Sequence, residues 1–354
     1  MKAKLPEIGK ISQRVFEELI YPRLGATSRN VLVGPMHGVD VGIVRIGNRA
    51  VALTTDPVFI VPEYGWERAA WFAIHILLSD VVTSGLWPRY LAIDFNLPMT
   101  ITEEQLETVW KTIHRECQRY GVAVVTGHTA RYENCNYPMV GGATVLAEGG
   151  LGDYVSPKFT RPGDRIIVTK GPAIEASGIL ATMFPERLAQ KFGRSFARQA
   201  EGLFYRMSVV EDALAVISVG TRAHGVTAMH DATECGLWGG LFEMAQAGGF
   251  GVRVEKEKIP VLPGVREICE LYGIDPYKSI SEGTLIITCR PGRAPAVLSA
   301  LRRRRIPAAD VGEVTRKGMV LVNEGKEQPL VHPVVDPFWK AFYDALNAGS
   351  KARG

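Results

Sequence analysis

The sequence is poor in cysteine. Its five residues, Cys117, Cys135, Cys235, Cys269 and Cys289, are scattered through 354 positions, odd in number and nowhere spaced as CxxC. That pattern excludes a disulfide framework and a structural zinc site. Long apolar runs are missing too. Nothing approaches the roughly 20 residues that span a bilayer, and the opening MKAKLPEIGK has no apolar core of the signal-peptide kind. These absences point to a cytoplasmic protein with no membrane partner. Nor is charge of one sign in excess: Lys and Arg number 41 against 37 Asp and Glu, a net +4. The single basic run, RRRR at 302–305, closes a helical pattern, where cations favour the negative end of the helix dipole. No aromatic residues interleave it, so nucleic acid is not an expected partner.

What is present fits a soluble globular chain of two domains, with 46% apolar and 22% charged residues. RAVALTTDPVF (49–59) reads as a buried strand ending in Asp56 and Pro57. Residues 67–88 carry Trp71, Ile74, Leu78 and Val81 at helical spacing and stop near Gly85 and Pro88. Residues 101–121 open on a capping box, Thr102 with Gln105, and close on Gly121. VAVVTGHT (122–129) reads as a strand running into a glycine turn, and 137–149 as a further strand. Beyond a boundary near 155, strands are expected at 165–169, 251–255, 283–289 and near 310–323. Helices are expected near 175–190, 198–218, 263–272 and 293–304. The expected organisation is α+β: domains at 1–155 and 156–335, then an amphipathic helix and polar tail at 336–354.

Polarity concentrates where the backbone turns. AMHDATECGLWGG (228–240) places His230, Asp231, Thr233 and Glu234 at the mouth of an apolar helix. Asp40 lies in the glycine-bracketed GPMHGVDVGIV (34–44), Asp56 at a strand end, Asp80 inside the first long helix, and His128 in the GHT turn. Hard cations such as Mg²⁺ take oxygen ligands, and nucleotide phosphates need a cation between themselves and carboxylates. Glycine turns with free N–H groups suit the phosphates. Taken singly, an Asp at a strand end is a turn or cap residue. Asp80 differs, because a carboxylate in an apolar helix requires a polar partner. His75 and His114 read as ordinary helix residues, and Trp66, Trp71, Trp87 and Trp110 as packing residues. His37 and His128, in glycine turns, carry more weight.

The order of these motifs resembles the superfamily of aminoimidazole ribonucleotide (AIR) synthetase, the PurM-like proteins, and within it the hydrogenase maturation factors of the HypE type. The likeness rests on GPMHGVDVGIV, TTDPVF, HILLSDVVTSGLWPRY and VVTGHT in the first half. In the second it rests on MHDATECGLWGGLFEMAQAGGFGVRVEKEKIPV and GIDPYKSISEGTLIITC. It implies two mixed α/β domains, the first pairing with its copy into a β-barrel, so that the protein is a homodimer. It implies ATP and Mg²⁺ as cofactors, with Asp40, Asp56, Asp80 and Asp231 holding metal. Gly38, Asp40, Gly127, His128, Thr129, Asp231, Thr233 and Glu282 would bind nucleotide and phosphate. The implied activity is phosphorylation or activation of an oxygen on a small molecule or partner group, with a protein of a maturation pathway as partner.

Three positions depart from the family pattern. An acidic pair becomes Val39-Asp40, an Arg-Gly becomes Glu234-Cys235, and the terminal cysteine that carries the carbamoyl group in HypE has no counterpart in NAGSKARG. The alternative expectation is therefore a degenerate HypE-like paralogue acting as a non-catalytic partner in an assembly or maturation pathway.

Overall fold

Residues 49–59 bury every second side chain, Ala50, Ala52, Thr54 and Val58, while Thr55 and Pro57 face outward. This alternation is that of a sheet with one covered face. The strand, β3 (Arg49–Phe59), sits near the middle of a six-stranded sheet. Its companions are β1 (Val31–Val33), β2 (Gly42–Ile46), β4 (Trp87–Leu97), β5 (Ala123–Arg131) and β6 (Met139–Gly150), in the order β1-β2-β3-β6-β4-β5. Only β4 and β5 run parallel. Two helices, α1 (Trp66–Val82) and α2 (Glu103–Tyr120), cover one face. The expected capping box is present: Thr102 Oγ1 accepts from Gln105 N at 3.3 Å, and Thr102 N donates to Gln105 Oε1 at 2.9 Å. This computed structural model describes residues 13–351 together with Ile11.

The second sheet has seven strands: β7 (Arg165–Thr169), β8 (Val226–Ala232), β9 (Gly251–Glu255), β10 (Thr284–Cys289), β11 (Ala308–Thr315), β12 (Met319–Asn323) and β13 (Lys326–Pro329). Their order is β13-β12-β9-β11-β7-β10-β8, antiparallel except between β9 and β12. Here β8 and β10 are buried at every position, because packed side chains cover both faces. One face packs into a core continuous with that of the first sheet; the other forms a separate core with α7 (Gly236–Gly248). The remaining helices of eight or more described residues are α3 (Ile174–Met183), α4 (Pro185–Phe192), α5 (Arg194–Glu201), α6 (Val210–Ile217), α8 (Val265–Tyr272), α9 (Ala294–Arg303) and α10 (Pro337–Lys351).

Several expectations are corrected. β3 does not end at Asp56 but continues to Phe59, its ladder with β6 held through Asp56↔Ala143 and Pro57↔Gly142. Gly127, His128 and Thr129 are not in a turn: they lie inside β5, paired with Ile93, Asp94 and Phe95 of β4. The helix expected at 175–190 is two helices, split where Pro185 forces Phe184 out of helical geometry (φ −133°). The one expected at 198–218 is interrupted because Phe204 and Met207, both fully buried, turn the chain against Gly178 of α3. The barrel implied by the family resemblance would be completed by a second copy of this sheet. Among the described residues the first sheet is open, with β1 and β5 as free edges.

Candidate metal centre

Segments from both halves of the chain converge on one cavity of about 360 Å³. The loop before β2 contributes Gly38 and Asp40; β3 contributes Asp56; α1 contributes Asp80. The loop after β8 contributes Thr233, and the turn before β10 contributes Glu282. Asp231, near the end of β8, lies against the cluster: one ligand atom each from Asp40, His230 and Asp231 falls within 4.8 Å of the others. Asp56 and Asp80 meet because β3 packs under α1, where Thr54 Oγ1 donates to Asp80 Oδ2 at 2.8 Å. Glu282 is brought in by the pairing of β10 with β8, in which Thr284 faces Ala232 and Leu285 faces Asp231.

This much negative charge is poorly compensated. Both carboxylate oxygens of Asp231 and both of Glu282 are buried without a hydrogen-bond partner, and the two residues are only 1% and 2% exposed. Burial raises the Asp80 carboxyl well above the usual range, with Asp231 and Asp56 adding to the shift. Asp231 is pushed up to about 8, by burial first and the Asp40 charge second. Burial, then Asp231 and Glu175, raise Glu282 well above its ordinary value. Among the described residues the cation built into the cluster is His230. Burial alone would lower its pKa, but Asp40 and Glu243 override that and push it up to about 10. Its Nδ1 donates to Asp40 at 2.8–2.9 Å, and its Nε2 lies 3.6 Å from Glu243.

Orphaned, buried carboxylates that resist ionising are what a divalent-cation site presents without its ion. The donor set, almost all oxygen, suits Mg²⁺ or a similar hard cation. Among the described residues no Lys or Arg lines the cavity, so phosphate entering it would meet carboxylates unless a cation intervened.

Residues 38–148 match the N-terminal domain, and residues 161–323 the C-terminal domain, of one family, described as AIR synthase related protein. The chain belongs to this AIR synthase related family. It is similar to the hydrogenase maturation proteins within it. It is 24% identical over 339 residues to a putative hydrogenase expression/formation protein of Methanocaldococcus jannaschii, covering 93% of this chain and 96% of that one. It is 29% identical over 303 residues to the carbamoyl dehydratase HypE of Escherichia coli, covering 83% and 85%. A solved structure of the hydrogenase maturation protein HypE in complex with ATP shares the fold at a TM-score of 0.62, with 24% identity over 93% of this chain and 97% of that one.

In this family member, some site residues expected from the sequence lie elsewhere or do something else. Gly127, His128 and Thr129 are outside the cavity, on the exposed edge strand, where His128 Nε2 bonds Tyr132 Oη at 2.8 Å. Gly127 is required by strand pairing: a Cβ there would sit 2.2 Å from the Ile93 carbonyl oxygen. Gly38 (φ +77°) likewise answers to the protein itself, since a Cβ would lie 2.2 Å from the carbonyl oxygen of Glu243 on α7. Val39 packs against the apolar core. Cys235 (φ +65°) precedes α7, and its N–H donates to Asp336 at 2.7 Å.

Sequence reasoning assigned no role to Glu175, Glu243 or Trp339 and gave His230 only as a member of the polar cluster before α7; all four line the cavity. Glu243 was legible in principle: it stands seven residues after Gly236, two helical turns along the same face of α7. Trp339 arrives from α10 and left no local signal; its indole N–H is buried without an acceptor.

Proposed function

We propose that this protein is a Mg²⁺- and ATP-dependent enzyme that moves the terminal phosphoryl group of ATP to an oxygen of a small molecule or of a group on a partner protein, releasing ADP. The observation that carries this reading is the set of carboxylates that both halves of the chain bring to one place, Asp56 and Asp80 from one and Asp231 and Glu282 from the other, the last two with no hydrogen-bond partner for either oxygen. Bound Mg²⁺ would supply charge neutralisation for the phosphates. In phosphoryl transfer, positioning and electrostatics provide most of the acceleration. The chain's own residues then act as holders: Asp40, Asp56, Asp80, Asp231 and Glu282 keep the cation in place, His230 fixes Asp40, and the Thr233 hydroxyl meets a phosphate oxygen. Gly127, His128 and Thr129 would contact the nucleotide from the sheet's open face.

The test is titration calorimetry of a non-hydrolysable ATP analogue, with Mg²⁺ or with EDTA, on the wild type, Asp56→Asn and Asp231→Asn. Binding should need Mg²⁺ and weaken in both variants. Unchanged affinity in both would reduce the two aspartates to fold formers.

A homodimer belongs to the same reading. The open sheet exposes Trp87, Tyr90, Val124, Val125 and Met139, large apolar side chains that a second copy would cover. A protein partner of a maturation pathway is the expected recipient of the product, as the names of the relatives suggest.

Val39 favours a second reading. At the position of one carboxylate of the family's pair, a side chain that cannot hold a cation lines the cavity and packs against the apolar core, consistent with a paralogue that keeps the fold and serves as a non-catalytic partner. ATP turnover by purified protein separates the two: Mg²⁺-dependent phosphate release supports the enzyme, and binding without turnover across candidate acceptors supports the partner.

A further inference from the structure

The metal-facing carboxylate Asp40 is not held by its own loop. Its oxygens are taken by the His230 ring, whose two nitrogens both face carboxylates, Asp40 on one side and Glu243 on the other. A ring with an acid at each nitrogen uses both as donors. Glu243, two turns into α7, is itself held. Its Oε1 lies 3.2 Å from His332 Nε2. The proton on His332 is placed by the backbone: Val334 N–H donates to His332 Nδ1 at 3.1 Å, so Nδ1 is the acceptor and Nε2 carries the hydrogen that Glu243 receives.

The segment carrying His332 is fastened nearby. Leu330 is 3% and Phe338 1% exposed. Asp336 accepts from Cys235 N at 2.7 Å and from Phe338 N at 2.9 Å. The ring of Phe242, next to Glu243, meets the His332 ring edge-on at 5.6 Å. The result is a string, His332–Glu243–His230–Asp40, that begins some ninety residues beyond Glu243 in the sequence and ends at the metal-facing carboxylate.

We propose that Glu243 and His332 are positioning residues for the metal centre, acting through His230 to keep Asp40 in ligand geometry. This rests on the reading that Asp40 and Asp231 hold a divalent cation. Neither Glu243 nor His332 need touch the cation. Partners one shell out from a ligand fix its orientation, and losing one typically costs ten- to a hundredfold in metal affinity. His332, two links further from Asp40 than His230, sits at the low end, so roughly tenfold is expected.

The experiment is calorimetric titration of Mn²⁺ and of Mg²⁺ into the full chain, well below its melting temperature. The variants are Glu243→Gln, His332→Ala and His332→Gln, with Asp231→Asn as the control for the centre itself. Gln at 332 keeps an N–H near the Nε2 position; Ala does not. His332→Ala and Glu243→Gln should bind the metals roughly tenfold more weakly, His332→Gln should recover most of the wild-type affinity, and Asp231→Asn should lose binding. A structural role alone would lower the melting temperature without this split between Ala and Gln. If Asp231→Asn abolishes binding while His332→Ala and Glu243→Gln stay within about twofold of wild type, below any outer-shell effect, the positioning role is wrong and the metal centre stands. Equal weakening in the Ala and Gln variants of His332 also overturns it. If the wild type binds neither metal, the metal centre is wrong and the positioning role falls with it.

Discussion

Asp231→Asn should make the metal-free protein more stable while destroying its site. The folded-state pKa of Asp231 is about 8, against roughly 3.9 for an unfolded aspartate. A carboxyl whose pKa is raised by folding contributes its full stability below pH ~4 and loses it progressively as the pH rises through 8. At pH 7 the folded chain is about three units above the unfolded pKa and still mostly protonated at this site, which corresponds to a penalty on the order of 4 kcal/mol at 1.36 kcal/mol per unit. At pH 5 the same arithmetic leaves roughly a third of that penalty. Asparagine has nearly the shape of aspartate and never ionises, so the variant should gain most of the difference. The assay is urea unfolding in EDTA at pH 5 and pH 7 for both proteins. The variant should be the more stable at both, by a wider margin at pH 7. Added Mg²⁺ should then stabilise the wild type, more at pH 8 than at pH 6, and leave the variant unmoved. A variant less stable than wild type at pH 7, or a margin that does not widen with pH, would mean that Asp231 is satisfied within the fold and that the cluster is not strained by unmet charge. Such a trade of stability for a charged site is usual where function requires an unfavourable arrangement.

Three further outcomes are expected. Gly38→Ala should destabilise the fold by a few kcal/mol, about the cost of strain plus displaced backbone, because φ is +77° and the new Cβ would meet Glu243; a thermal melt unchanged from wild type would contradict the packing of that loop on α7. The chain should form no thiocarbamate when incubated with ATP, Mg²⁺ and a carbamoyl donor system: burial pushes the Cys117 thiol up to about 11 and those of Cys269 and Cys289 up to about 12, and buried, protonated thiols are poor nucleophiles. Intact-mass spectrometry checks this, and a stable adduct on Cys235 would overturn it. Sedimentation velocity at micromolar protein should show a dimer, and Val125→Glu on the exposed strand β5 should shift it toward monomer; a wild-type monomer would refute pairing through this sheet.

The long elements were legible because their signals are local. The capping box fixed the start of α2, and alternation exposed β3. What failed was punctuation. Gly127 and Pro57 read as turn formers, yet both are inside strands, Gly127 because two backbones approach closely there. A single sequence does not distinguish a glycine that bends the chain from one that lets another strand in. The aspartates of the site were legible as residue types in suggestive places, and the resemblance to the AIR synthetase superfamily gathered them before any contact was known. The second ring of groups was not legible. His230, Glu243 and His332 matter through hydrogen bonds between segments far apart in the chain, and nothing in the spacing of 230, 243 and 332 announces that they meet.

The central claim is that the carboxylates drawn from both halves of the chain hold a divalent cation that in turn holds ATP. Crystals soaked with Mn²⁺ and a non-hydrolysable ATP analogue test it directly, through the anomalous scattering of manganese. The account predicts at least one manganese peak bounded by Asp40, Asp56, Asp80, Asp231 and Glu282, with the phosphates of the analogue against it. A nucleotide bound elsewhere, or a cavity free of manganese at saturating concentration, would contradict it.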